Sequence, residues 1–335
     1  MANVLRLERV GNNGKATIER QFSMASRGEA MAVTIGLRVM AWAGTLLVLV
    51  GALGVQAAPL PENEADRRCW LQYTRERTKV NLRDPTAVDF SNLRNGQEVA
   101  SPFLVQFAVR GMGVAPAGIQ LQGTGHHHIL IDKTLPLAIT DKLPFDAQHR
   151  HFGGGQTSTL VDLPPGRHSL RLLFADHEHR PFFVYSPELT VNVRGPRSTT
   201  PRPKVEADRF EASCARWYQD ELSRPRPPDE PLHFANVRAD EPLVSPFNLR
   251  LGIDGFGVCA RGVGKAKTGH FVVDVYTGSP QRLVKHADLV NGATQLNVFS
   301  GQGHHLLRLR FVDDRGVDLL PPHELPVRVV GQEAI

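Results

Sequence analysis

Two things are scarce in this chain: thiols and ready-made catalytic patterns. It has three cysteines in 335 residues, and none of its 14 histidines precedes His126. No nucleophile elbow and no H-E-x-x-H helix occurs, so a hydrolase pairing a histidine with Asp176 or Ser158 ranks last among functions. Dense lysine and arginine blocks are missing as well. Setting aside residues 1–57 removes six basic and three acidic residues, so the net charge falls from +5 to +2. That balance excludes a nucleic-acid footprint. The remaining 278 residues suit two domains of about 100–150 residues each.

Only one long hydrophobic run is present, over residues 39–54. Arg38 precedes it and the small-residue triplet Val55-Gln56-Ala57 follows. This is the layout of a secretory signal peptide over residues 1–57, cleaved after Ala57, with Met31 (or Met24) as the true start. The run is at the short end of the roughly 17–25 residues that span a bilayer, so no stable span is expected after cleavage. The expected location is periplasmic or secreted, where disulfides persist. Three cysteines allow three single pairings and leave one thiol over.

The chain is internally duplicated. Residues 89–103 align without a gap within residues 232–247 when Phe90 is set on Phe234, and Gly111–Ala115 then falls on Gly255–Cys259. Gly166–Asp176 matches Gly303–Asp313, and the tetrapeptide EADR precedes both copies at Glu64 and Glu206. Two units of one kind follow from this. The first spans 58–193 and the second 209–335, joined by a Pro- and Thr-rich linker over 194–208. Each opens with a short helical pattern: Ala65, Cys69 and Tyr73 share one face, as do Phe210, Cys214 and Trp217. Equivalent helices at a seam between the domains would bring Cys69 to Cys214, the preferred disulfide. Beyond them come short strands rich in β-branched residues, among them 103–109, 127–132, 168–175 and 188–193, with Pro/Gly turns between. The pattern predicts a mainly β chain of two tandem immunoglobulin-like β-sandwiches. Residues 134–150 leave room for a helix.

Six histidines form three His-x-His pairs: His126 with His128, His149 with His151, and His177 with His179. Residues i and i+2 of a strand point the same way, so each pair can aim two imidazoles at one place. Clustered imidazoles suit Zn²⁺ or Cu²⁺ rather than the oxygen-seeking Ca²⁺ or Mg²⁺, and affinity peaks at copper. First choices for ligands are His126, His128, His149 and His151, with His177 or His179 completing the set. His127 falls on the opposite face, at a strand end or as an outer hydrogen-bond donor. His168 lies on the core side and recurs as His305, which points to a structural role. In the second unit His270 aligns best with His128 and His286 with His149, while Asp288, Asp314 and Gly316 replace His151, His177 and His179. The depleted copy makes the first unit the place for a site. Free imidazole protonates near pH 6.5, so binding should weaken as pH falls through that value.

In HFGGGQT (151–157) the glycines fit a loop needing positive φ or close backbone approach better than a phosphate cradle, which wants a following Lys and a helix start. Gln156 and Thr157 are placed to hydrogen-bond a ligand beside His151. TGHHHILID and HFGGGQTSTLVDLPPGRHSLRLLFADHEHRP resemble the signature of a bacterial exported domain of unknown function, family 4399. The resemblance covers about residues 100–193 and is degenerate over about 234–330. It implies an exported domain and brings no activity. The expected partner is a metal ion, copper or zinc, or, for a non-catalytic adhesion or scaffold module whose histidines are a polar patch, an envelope component.

Overall fold

The alternation of apolar residues along each strand builds two sandwiches with the same strand plan. The computed structural model describes residues 55–81, 86–135, 138 and 140–332, the first two as backbone only. The signal-peptide expectation therefore lies almost wholly outside the described residues. No described helix is long and apolar enough to cross a membrane.

The first lobe contains β2 (Ala87–Phe90), β3 (Gln97–Ser101), β4 (Phe103–Arg110), β5 (Gly113–Val114), β6 (Thr124–Ile131), β7 (His149–Phe152), β8 (Ser158–Val161), β9 (Gly166–Ala175), β10 (Pro181–Tyr185) and β11 (Leu189–Pro196). One sheet runs β3-β11-β9-β6-β5, with β7 on β6 and β10 on β9; the other runs β2-β4-β8. The second lobe repeats this with β12 (Leu232–Phe234), β13 (Pro242–Ser245), β14 (Phe247–Ile253), β15 (Gly257–Val258), β16 (Thr268–Thr277), β17 (Arg282–Asp288), β18 (Gln295–Val298), β19 (Gly303–Val312) and β20 (His323–Gln332). Its sheets are β13-β20-β19-β16-β15, with β17 on β16, and β12-β14-β18. A further short strand, β1 (Val55–Gln56), pairs in parallel with β20. The sequence repeat is thus a structural repeat.

Period-two burial explains the core. Val105 and Val161 from one sheet meet Ile129, Leu170, Leu172 and Phe174 from the other, all fully buried. Each such side chain contributes about 1.5–3 kcal/mol by leaving water. His127 belongs to this core. Its ring sits 5.0 Å from that of Phe107 and 4.9 Å from that of Phe174, and burial lowers its basicity to about 3. Phe271 holds the equivalent place in the second lobe, against Phe311. The expectation that His127 is a strand-end or ligand-supporting group is corrected: it faces the sandwich interior.

The helices cross over. α1 (Glu64–Gln72) and α2 (Thr74–Thr78) precede the first sandwich, yet α2 packs on β13 and β14 of the second. α3 (Phe210–Leu222) precedes the second sandwich and packs on β3 of the first. Paired asparagines secure both ends of the exchange. Asn92 donates to Leu222 O, and Asn236 donates to Arg77 O, at 2.8 and 3.0 Å. α1 and α3 meet at the seam, where Cys69 and Cys214 form a disulfide with a Cα–Cα distance of 5.4 Å. The leftover thiol, Cys259, is buried, and its pKa is pushed up to about 11 by that burial. The linker segment is tied down through Arg197, which donates to Ala100 O and Pro102 O at 3.0 Å.

The glycine loop belongs to the same seam. Gly155 has φ +84°, and a Cβ there would collide with the carbonyl oxygen of Val258. Val258 N donates to Gly155 O, and reciprocally Val114 N donates to Gly292 O, each at 2.8 Å. Close backbone approach between lobes is what the glycine serves. No described residue between 134 and 148 is helical; the segment lies over the outer face of β6 and β9, where Leu143 packs with Leu130 and Leu173.

Two histidines far from the paired motifs connect the fold to pH. His233 and His323 are 2% and 1% exposed. Burial, then the charge of Arg226, lowers both, His323 to about 4 and His233 well below the usual value. The folded state prefers them neutral, so their stabilisation is complete above the unfolded pKa of about 6.5 and is lost as pH falls toward 4. The metal-free protein should melt progressively earlier over that window, and His323→Gln should flatten the fall in a pH series of thermal scans.

Candidate metal centre

β6 places alternate side chains on opposite faces, and both faces are buried. His127, Ile129 and Ile131 point into the core; His126, His128 and Leu130 point outward beneath the loop that precedes β7. The antiparallel register then chooses between the β7 histidines. His151 lies opposite His128, whereas His149 lies opposite Leu130. A third contribution comes from the turn after β9. Asp176 accepts the backbone N–H groups of Glu178 and Arg180 at 2.8 Å, and the tight turn swings His179 over the sheet.

Four rings converge. The centroid of His126 lies 4.9 Å from those of His128 and His151 and 5.1 Å from that of His179; the rings of His151 and His179 are 4.8 Å apart. One donor atom from each of His126, His128 and His151 lies within 4.8 Å of the others. The Nε2 atoms of His126 and His128 are 3.0 Å apart. A tetrahedral ion bound at 2.0–2.1 Å holds its donors about 3.4 Å apart, so closing the triad takes an inward shift of His151 of up to about 1.4 Å. Phe145 caps the group, 4.7 Å from His151 and 4.8 Å from His179, while itself 59% exposed.

Burial, reinforced by the neighbouring imidazoles, lowers His126 to about 3 and His128 to about 2. Burial also lowers His151 and His179, with Lys142 adding to the effect at His179 and Asp176 opposing it. The rings are therefore neutral donors at neutral pH, and the acid limit for binding moves below the 6.5 expected of free imidazole. The buried Nε2 atoms of His151 and His179 have no protein hydrogen-bond partner, so their lone pairs are available to a ligand. The Nδ1 atoms of His126 and His128 also lack protein partners. Outer hydrogen bonds of that kind usually orient ligating imidazoles, and their loss weakens affinity by about 10–100-fold.

The other sequence candidates lie elsewhere. His149 Nδ1 is 2.9 Å from Asp146, one strand pair away from the cluster. His177 contributes its carbonyl to Gly118 N. Gln156 is exposed and accepts from Gly154 N at 2.9 Å, and Thr157 is buried against Ile253 of the second lobe; neither faces the imidazoles. Ser158 donates to Asp254 at 2.9 Å rather than pairing with a histidine. His168 is not a packed core group but closes the sandwich end, with its ring nitrogens 2.8 Å from Asp132 and 3.0 Å from Pro164 O. His305 contacts Gly301 O in the same way.

The second lobe is a control built into the chain. Thr124 pairs with Gly113 as Thr268 pairs with Gly257, so His270 stands at the place of His126, and Val272 at that of His128. The sequence alignment of His270 with His128 was off by two residues. Asp288 replaces His151, and its carboxylate fills the place, paired with Arg261 at 2.7 Å and 3.0 Å from the ring of His270, which burial keeps neutral. At the turn, His179 takes φ +71°, and its counterpart Gly316 takes +79°. Left-handed backbone favours glycine, so the imidazole at 179 is kept against a local preference. His179→Gly is expected to leave the metal-free stability unchanged or raise it by up to about 1 kcal/mol while lowering metal affinity, as paired denaturation and metal titrations would record.

A search of curated proteins returned no match. Among solved structures, fibronectin(III)-like modules of Clostridium thermocellum CbhA match at 10% identity, covering 73% of this chain and 94% of theirs, with a TM-score of 0.20. The chicken CNTN1 FN1–FN3 domains match at 7% identity, covering 71% and 67%, with a TM-score of 0.19. At these scores the fold rests on the strand pairing described above. Residues 105–194, which include all four converging histidines, match the family described as a domain of unknown function (DUF4399), and the match ends before the second lobe.

Proposed function

We propose that this chain is an exported, periplasmic or secreted binding protein that holds one copper or zinc ion on His126, His128 and His151, with His179 as the fourth donor. The observation that carries the reading is the convergence of four neutral imidazoles, two with unpartnered buried Nε2 atoms, where the sister lobe has a single histidine beside the Arg261–Asp288 ion pair. An all-nitrogen donor set without a carboxylate suits copper or zinc. The Cys69–Cys214 disulfide fits an oxidising compartment.

The test is to titrate untagged protein with Cu²⁺ and Zn²⁺ and to count bound metal. About one ion per chain is expected, with His128→Ala binding at least ten-fold more weakly. Less than about half an ion per chain, unchanged in the His126→Ala/His128→Ala double variant, would sink the proposal. A second reading, an adhesion or scaffold module, draws support from Phe183 and Tyr185 on β10, which are 76% and 40% exposed with rings 5.8 Å apart. Capture on isolated envelope polymer, undiminished without the histidines but lost in Phe183→Ala, would favour it.

A further inference from the structure

A cavity of about 420 Å³ lies at the other functional-looking place in the molecule, between the C-terminal end of α3 and strands β12 and β20. Its size falls in the usual range for small-molecule sites, about 300–1,000 Å³. Four arginines (202, 224, 226 and 238) and two glutamates (221 and 230) line it, an excess of two positive charges.

The arginines are not equivalent. Arg202 and Arg238 pair with Glu221 at 2.6 Å, and Arg224 pairs with Asp220 at 2.5 Å. Arg226 alone of the four has no ion pair among the described residues; its Nε is buried without a partner, as is that of Arg224, and it feels Asp254 and Glu230 only through space. Two nearly inaccessible histidines on the same wall, His233 and His323, have Nδ1 atoms without a side-chain partner; the His233 ring is held by the backbone of Glu230 and Pro231, which leaves His323 the freer of the two. Buried polar groups are seldom left unpaired, and four such atoms (Nε of Arg224 and Arg226, Nδ1 of His233 and His323) on residues lining one cavity call for a common partner. Burial lowers Arg226 to about 10, so it stays charged at neutral pH.

We infer that this cavity binds a small organic anion, its carboxylate on Arg226 with ring N–H donation from His323, and its apolar part against Trp70 and Phe234. The guanidinium fork matches a planar carboxylate. Trp70, Leu222, Phe234 and Val237 give the cavity an apolar wall, which inorganic phosphate would not use.

The experiment uses benzoate as the probe, with its neutral analogue benzamide and inorganic phosphate for comparison, read by tryptophan fluorescence (Trp70 lines the cavity) and by thermal shift. Benzoate should saturate at millimolar concentration or below and raise the melting temperature, with benzamide and phosphate at least ten-fold weaker. Arg226→Gln should lose at least ten-fold in benzoate affinity, and Arg226→Lys should retain part of it. Should the Arg226 variants fail to fold, His323→Gln carries the test with an expected several-fold loss. Equal binding of benzamide, preferential binding of phosphate, or benzoate affinity unchanged in the folded variants would overturn the assignment.

Discussion

Glu241→Ala is expected to lower the unfolding free energy by about 3–5 kcal/mol, as loss of one partner from a buried ion pair does. Glu241 is fully buried and gathers α1 and α2. Its carboxylate pairs with Arg77 of α2 and accepts from the Thr74 hydroxyl. It also accepts from Trp70 Nε1 and from Arg238 N, each at 3.0 Å. Arg77 cannot escape to water: its guanidinium lies 3.8 Å over the Trp70 ring and donates to Asn236 O and Trp70 O. Removing the carboxylate leaves a charge, an indole N–H and a hydroxyl unpaired at once. The first lobe places Gln97 at the equivalent position, donating to Gln219 O at 2.9 Å, so Glu241→Gln should fall between the wild type and Glu241→Ala. Urea denaturation would measure both. A loss below about 1 kcal/mol for Glu241→Ala would contradict this account of the seam.

Removing the disulfide should be of similar weight. Cys69 and Cys214 are 145 residues apart in the sequence, and opening a native bridge commonly costs about 2–5 kcal/mol. α3 packs on the first sandwich, and α1 reaches the second through the Trp70 bond to Glu241 and through α2, so Cys69→Ala/Cys214→Ala should weaken both lobes together rather than release one. Calorimetry should show a single transition at lower temperature, and dithiothreitol should lower the wild type to match. A melting temperature unmoved by reductant, or two separate transitions of which one is unshifted, would contradict the shared role.

The strands, the duplication and the cysteine seam could be read from the sequence because each has a local signal: period-two alternation, gapless repeat blocks and equivalent helix faces. The imidazole set was only half legible. Spacing shows that His149 and His151 share a face, but only the β6–β7 register shows that His151 meets His128 while His149 meets Leu130. His179 enters through a turn whose left-handed residue is a glycine in the sister lobe, a signal present in the aligned turns but with no means of setting distance. Alternation alone puts His127 on the face away from the cluster but not in the core; Phe271 at its counterpart position is the clue that it packs there as an aromatic ring. The helix exchange has no sequence signature, since a connection's composition does not say which neighbour its helix will cover.

The most direct measurement of the central claim is X-ray absorption on untagged protein loaded with one equivalent of Cu²⁺ or Zn²⁺. The proposed centre predicts three or four imidazole nitrogens at about 2.0–2.1 Å, reduced by one imidazole in His128→Ala. A shell of oxygen donors, or an imidazole count unchanged when His126 and His128 are both replaced, would contradict it.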